Sequence, residues 1–335
     1  MTSKSTHKVL IITMMVIVPL LFSFVLAATG GSSTFLFLSD EGESIVYDKQ
    51  DHAAFTTIEE WHNSLYMAFR TATNHLPQSN DLGKIVLLKN SGNGWSQENV
   101  FEQEGVDLRD PFLIKWNGNL MLYTLGYYSI LTENGWTALN RIKHNASYPL
   151  NIWKKRSYKN KLYGVGNAGG KWPVLLCSVD GINWDVITTY RIGGDASEAD
   201  LCFIGDTLYT CVRIDTPVGS NSMWGKSPFP FTKTEWRLMD KSIASPEMIH
   251  LSDSVILLTG REYILHNADG KDSVNVSIFE VDKNGNIKNR YLIDKNENRD
   301  KGYPSFCVNN GLLYMSYYTG TYDKTLIKLH QFRIK

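Results

Sequence analysis

The chain has 335 residues, with 34 Lys+Arg against 34 Asp+Glu and a formal net charge of zero. That length fits one large all-β domain or two average ones, and the charge balance offers neither a basic face for nucleic acid nor an acidic run of the disordered kind. With Trp 9, Tyr 17 and Phe 14, the aromatic content suits half-buried sheets and sugar-binding surfaces alike.

Residues 1–28 read apart from the rest. Lys4, His7 and Lys8 precede an apolar run from Val9 to Ala28, interrupted only by Thr13, Pro19 and Ser23, and Val25-Leu26-Ala27 closes it on a small residue. This is the pattern of a secretory signal peptide. About 20 apolar residues also suffice to span a bilayer, so an uncleaved membrane anchor is the alternative. Either way the chain is expected to be exported: periplasmic, cell-surface or secreted. No Cys follows the run, which argues against a lipid anchor.

Beyond the leader one unit recurs: an apolar strand, a short polar turn, a second apolar strand. The turns hold Asn63-Ser64, Gly118-Asn119, Asn160-Lys161, Asp206-Thr207, Asp253-Ser254 and Asn310-Gly311, and the apolar residues that follow are Leu65, Leu120, Leu162, Leu208, Val255 and Leu313. Further strand-like sequence follows each hairpin, and no sustained helical periodicity is present. Units of three or four antiparallel strands at this spacing predict propeller blades. The expectation is an all-β, six-bladed β-propeller over residues 34–335, with a strand at Thr34–Leu38 closing the last blade so that no sheet edge is left open.

Cys177, Cys202, Cys211 and Cys307 show no C-x-x-C spacing, so no zinc site is expected. Cys202 and Cys211 can face each other across a hairpin, and an exported protein permits that disulfide. Buried free thiols are the simpler expectation.

With the six apolar residues taken as zero, Arg70 and Arg213 fall five positions after and Arg261 six after. Asp110, Glu198 and Tyr303 each fall ten before. A hairpin pairs residues symmetrically about its turn, so all six are expected on one rim, around the central channel.

Ser178-Val179-Asp180-Gly181-Ile182-Asn183-Trp184 resembles the Asp-box turn of sialidase blades, with weaker versions at Ser91–Trp95 and Glu133–Trp136. From about residue 50 to 335 the chain resembles the sialidases, six-bladed neuraminidase-like glycosidases. The resemblance implies that Arg70, Arg213 and Arg261 form the family's arginine triad, which grips the carboxylate of a terminal acidic sugar. It implies that Tyr303, in Gly302-Tyr303-Pro304-Ser305, is the nucleophile of a retaining mechanism, with Glu198 taking its proton. After Phe69-Arg70 the family's Ile-Pro is replaced by Thr71-Ala72. Three residues compete for the acid/base role: Asp81, which matches the family's loop position; Asp110, which fits the predicted rim; and His75, close to Arg70, which also reads as a substrate ligand. The chemistry is coherent: guanidinium forks match a carboxylate, and a neutral tyrosine avoids the repulsion a carboxylate nucleophile would meet beside an anionic sugar.

The expected partner is a carbohydrate, with no nucleic acid and no membrane contact beyond the leader, and with no cofactor or metal. Trp61, Trp116, Trp153, Trp172 and Trp224 are candidates for a sugar platform, although core packing accounts for most of them. Two other readings compete. Arg109-Asp110-Pro111-Phe112 also resembles a motif of five-bladed arabinanase- and invertase-type enzymes, a furanosidase reading that would use Asp110 and Glu198 and that six repeats argue against. A non-catalytic carbohydrate-binding propeller is the third.

Overall fold

The computed structural model describes residues 37–335 except 50, 78–80, 168–171, 194, 216–219, 265–272 and 299. The leader lies outside the described residues. The repeated turns close antiparallel hairpins as expected, one residue earlier than the sequence suggested in the first four units. His62-Asn63, Asn117-Gly118, Lys159-Asn160 and Asn310-Gly311 all carry positive φ at both positions, the geometry whose twist matches that of paired strands and that Asn and Gly adopt most readily.

Six sheets of four or five strands follow in chain order, antiparallel except where the short strand Lys143–His144 pairs in parallel with the outer strand of the third blade. Their inner strands are His52–Trp61, Phe112–Trp116, Asn151–Tyr158, Ala196–Ile204, Ser242–Ser252 and Asp300–Asn309. These pack against one another around a central channel, the last against the first. Leu38–Tyr47 pairs with Thr325–Ile334 as the outermost strand of the sixth blade. The chain is a six-bladed β-propeller closed by its N-terminal strand. That strand is Leu38–Tyr47 rather than Thr34–Leu38; positions 34–36 fall outside the described residues.

Strand alternation builds the core. Met67 and Phe69 point to the interface with the sixth blade, and Tyr66 and Ala68 to that with the second. The same division repeats around the ring, so that six apolar clusters fill the six interfaces between successive blades. Between the outer strands of the third blade, Asp180 Oδ1 accepts from the backbone N–H of Ile182 and Asn183. Trp184 Nε1 donates to the Gly181 carbonyl at 3.1 Å, with its ring buried. The four cysteines are free thiols; Cys202 and Cys211 both face the interface between the fourth and fifth blades.

Candidate active site

In five inner strands the ladder is interrupted at the same place. Ala54 pairs with Arg70 and Thr57 with Ala68, so that Phe55 and Thr56 together oppose the single residue Phe69. Trp153-Lys154, Ser197-Glu198, Ser245-Pro246 and Tyr303-Pro304 repeat this two-against-one bulge in the third to sixth blades. In the second blade, Asp110-Pro111 stands at the equivalent offset, just ahead of the inner strand. Bulges bend a strand and re-aim its side chains. Phe55, Asp110, Ser245 and Tyr303 sit at φ 59°, 52°, 45° and 46°, a conformation that costs roughly 1–3 kcal/mol per residue and persists where the surroundings impose it. Proline is tolerated at a bulge because no ladder donor is needed there.

The bulges bring all six blades to one end of the channel. Phe55, Asp110, Trp153, Glu198, Ser245 and Tyr303 line a cavity of about 30 Å³, room for little more than a water molecule. Hydrogen bonds tie neighbouring bulges together. Thr56 Oγ1 donates to the Tyr303 carbonyl at 2.8 Å, the Tyr303 N–H donates to Ser245 Oγ at 3.1 Å, and the Ser245 N–H donates to Glu198 Oε2 at 2.6 Å.

Glu198 is the hub. Its Oε1 accepts the Tyr303 hydroxyl, and its Oε2 accepts Arg213 Nη1 at 2.8 Å. Burial alone would raise its pKa, but the Arg213 charge and these hydrogen bonds outweigh burial and hold the carboxyl below its ordinary value. The Tyr303 phenol moves the other way: burial and then the charges of Glu198 and Asp110 push it well above the usual range, against Arg213 and Arg261. Asp110 faces the same cavity with its Oδ1 sealed from solvent and without a hydrogen-bond partner. Burial, followed by the Glu198 charge, raises its pKa from 3.8 to about 7.

Of the arginines expected to act together, two flank Tyr303 and one does not. Arg213 bonds Glu198 and also Asp215, at 2.5 Å. Arg261 lies over the Tyr303 ring, 5.8 Å from its centroid, and its Nη2 meets the Tyr318 hydroxyl at 2.6 Å and Asp300 Oδ1 at 3.4 Å. Arg70 stands across the Phe55 ring and is bound by Asp107 Oδ1, 2.8 Å from Nε and 2.7 Å from Nη2. Exposure of the three side chains is 0% for Arg70, 23% for Arg213 and 12% for Arg261. The expectation that three guanidinium groups meet at one open seat needs this correction.

Asp81 does not reach the cavity. It accepts from the Thr73 N–H and hydroxyl, which hold its carboxyl below the usual range, and it lines a separate groove of about 580 Å³ with Asp51 and Glu102. His75 lies behind Phe55, with Nδ1 2.9 Å from Asp300 Oδ2; His52 Nε2 is 2.7 Å from the same oxygen. His52, His75 and Asp300 form a cluster with the composition of a metal site, but Arg261 against the other carboxylate oxygen supplies the compensating charge.

Sequence reading missed Phe55 and Ser245, although both lie ten positions before their apolar markers, as Asp110, Glu198 and Tyr303 do. The offset would have found them had it been applied to every residue type rather than to charged and phenolic ones. Asp107 and Asp300 left no comparable signal, and Arg109 entered only through the Arg109–Phe112 motif; they sit in loops or strand ends outside the repeated offsets.

No protein-family model matches the sequence, and no curated protein matches it. Solved structures do share the fold. A protein of unknown function from Dyadobacter fermentans is 15% identical, with a TM-score of 0.75 over 90% of this chain and 100% of that one. The NanB sialidase of Streptococcus pneumoniae is 10% identical, with a TM-score of 0.62 over 87% of this chain and 70% of that one. The α-L-arabinofuranosidase Arb93A of Fusarium graminearum is 13% identical, with a TM-score of 0.58 over 88% and 98%. The fold is the sialidase-type six-bladed propeller. Because an arabinofuranosidase shares it, a count of six blades does not argue against a furanosidase, contrary to the expectation from the sequence.

Proposed function

We propose that the protein is a retaining glycoside hydrolase with Tyr303 as nucleophile, Glu198 as its base and Asp110 as acid/base. The observation that carries this reading is one cavity holding a phenol bonded to an ionised carboxylate and, facing them, an unpartnered carboxyl whose pKa lies near 7. In the first step the Tyr303 oxygen bonds to the anomeric carbon while its proton passes to Glu198. Asp110 gives its proton to the departing glycosidic oxygen. In the second step Asp110 takes a proton from water, the hydroxide bonds to the anomeric carbon, and the phenolate leaves and recovers the proton from Glu198. A carboxylate held as low as Glu198 is a weak base, so the phenol loses its proton only in concert with attack. Arg213 and Arg261, beside the ring, stabilise the charge that develops on its oxygen. The cavity admits the reacting atoms, and the body of the sugar lies toward the mouth.

The reading is tested with fluorogenic glycosides of both acidic and neutral sugars. Turnover that vanishes in Tyr303→Phe and falls in Asp110→Asn supports it; a wild-type protein that binds glycans without cleaving any returns the binding-propeller reading. The apolar leader supports export, which the N-terminal mass of the secreted protein checks.

A further inference from the structure

Building on the glycosidase reading, we infer that the glycone of this site is an uncharged sugar, because the chain supplies its own carboxylate to the arginines that would otherwise bind one. Asp107 divides its two oxygens between two guanidinium groups. Oδ1 accepts Arg70 Nε at 2.8 Å and lies 2.7 Å from Nη2, an ion-pair contact without hydrogen-bond geometry, and Oδ2 takes Arg109 Nε at 2.9 Å and its Nη2. The third nitrogen of Arg70, Nη1, donates to the Asn74 carbonyl at 3.1 Å. Arg70 thus is ion-paired within the chain and retains no exposed surface through which a substrate carboxylate could reach its fork.

The arrangement is built into the backbone. The Gly83 N–H donates to Asp107 Oδ1 at 2.7 Å. A Cβ at Gly83 would fall 2.1 Å from Arg70 Nε and 2.5 Å from Asp107 Oδ1, so only glycine lets the pair close. Between this pair and the nucleophile stands an apolar ring. The Phe55 centroid is 6.0 Å from Arg70 Cζ, 5.5 Å from Arg109 Cζ and 4.5 Å from the Tyr303 centroid. The space a sugar carboxylate would cross to reach Arg70 is filled by a phenyl group.

The remaining arginines are also matched. Arg213 faces Glu198 and Asp215, and Arg261 faces Asp300. Lys154, which also lines the cavity, has its Nζ 2.9 Å from Glu247 Oε2. A substrate carboxylate would enter beside Glu198 and Asp110 with no unpaired cation among these groups, and its desolvation would go uncompensated. What the cavity does present is apolar wall from Phe55, Phe112 and Trp153, suited to the C–H face of a sugar. The class of substrate is therefore a glycoside of a neutral pyranose or furanose.

The test compares 4-methylumbelliferyl glycosides of neutral sugars, α-L-arabinofuranoside among them, with the corresponding α-sialoside and keto-deoxy acid glycoside on the full-length protein. Wild type is expected to favour a neutral glycoside by at least 100-fold in kcat/KM, and Asp107→Asn combined with Phe55→Ala, which frees the Arg70 and Arg109 forks and opens the space in front of them, to raise the acidic-to-neutral ratio at least tenfold. Preferred turnover of an acidic glycoside that is abolished by Tyr303→Phe overturns the uncharged glycone and leaves the glycosidase reading standing. If neither class is cleaved, the glycosidase reading fails and thermal shift with free sugars decides the inference. Stabilisation by neutral sugars but not by N-acetylneuraminic acid supports it; the reverse order, or no shift with any neutral sugar, overturns it.

Discussion

Asp110 and Glu198 face one cavity and titrate in opposite directions: Asp110 rises to about 7 and Glu198 falls below its ordinary value. The cause lies in their partners. Glu198 receives Arg213, the Tyr303 hydroxyl and the Ser245 N–H, whereas Asp110 Oδ1 receives none. Two carboxyls held apart in this way divide acid and base work at neutral pH.

The pH profile should show it. Activity needs Asp110 protonated and Glu198 ionised, so kcat/KM should fall above about pH 7 and stay high down to the acid range where Glu198 titrates. Asp110→Asn should abolish activity against substrates with poor leaving groups, and any residual rate should lack the alkaline limb. Stability follows the same titration. The folded pKa of Asp110 lies above its unfolded value, so the stability it lends is complete below about pH 4 and is lost as pH rises through about 7. Asp110→Asn should consequently raise Tm at pH 8, by an amount equivalent to at most roughly 4 kcal/mol, and change it little at pH 4. Thermal denaturation at the two pH values measures both.

Glu198→Gln keeps the shape of the side chain but removes the base. The expected loss in kcat is about 10²–10⁴-fold, with the propeller retained because Arg213 keeps Asp215. Steady-state kinetics and circular dichroism separate the two effects.

Gly83→Ala should be disproportionately harmful for a single methyl group. The new Cβ would lie 2.1 Å from Arg70 Nε, forcing the buried guanidinium off Asp107. A loss of roughly 1–3 kcal/mol is expected from overpacking, read as a lower Tm in thermal melts; an unchanged Tm would mean that the loop gives way.

Trp184→Ala tests the scaffold alone. The ring is buried between the second and third blades and its N–H bonds the Gly181 carbonyl. Its removal should cost about 3–5 kcal/mol while leaving kcat per folded molecule unchanged, as active-site titration beside a thermal melt would show.

The architecture was legible because its causes are local and repeated. Asn63, Gly118 and Asn310 mark turns that need left-handed backbone, and alternation along each second strand divides residues such as Met67 and Ala68 between two interfaces. Hairpin symmetry was enough to draw Tyr303, Glu198 and Arg213 together. It could not anticipate the bulges, since one extra residue per inner strand changes where a side chain points without changing the pattern of apolar residues. That is why Arg70 was expected to share a site with Arg213 and Arg261; Phe55 was overlooked because the offset was applied only to charged and phenolic residues. Asp107 was hidden for another reason: its partner Arg70 is 37 residues away and no repeat links them. Asp81 matched a family position, yet two hydrogen bonds from Thr73 hold it at a different groove.

The most direct test of Tyr303 as nucleophile is peptide mapping by mass spectrometry after incubation with a 2-deoxy-2-fluoro glycosyl fluoride of whichever sugar the protein cleaves. The account predicts one covalent glycosyl adduct, on the peptide carrying Tyr303 and absent from Tyr303→Phe. An adduct on Glu198 or Asp110 instead, or undiminished turnover by Tyr303→Phe, would contradict it.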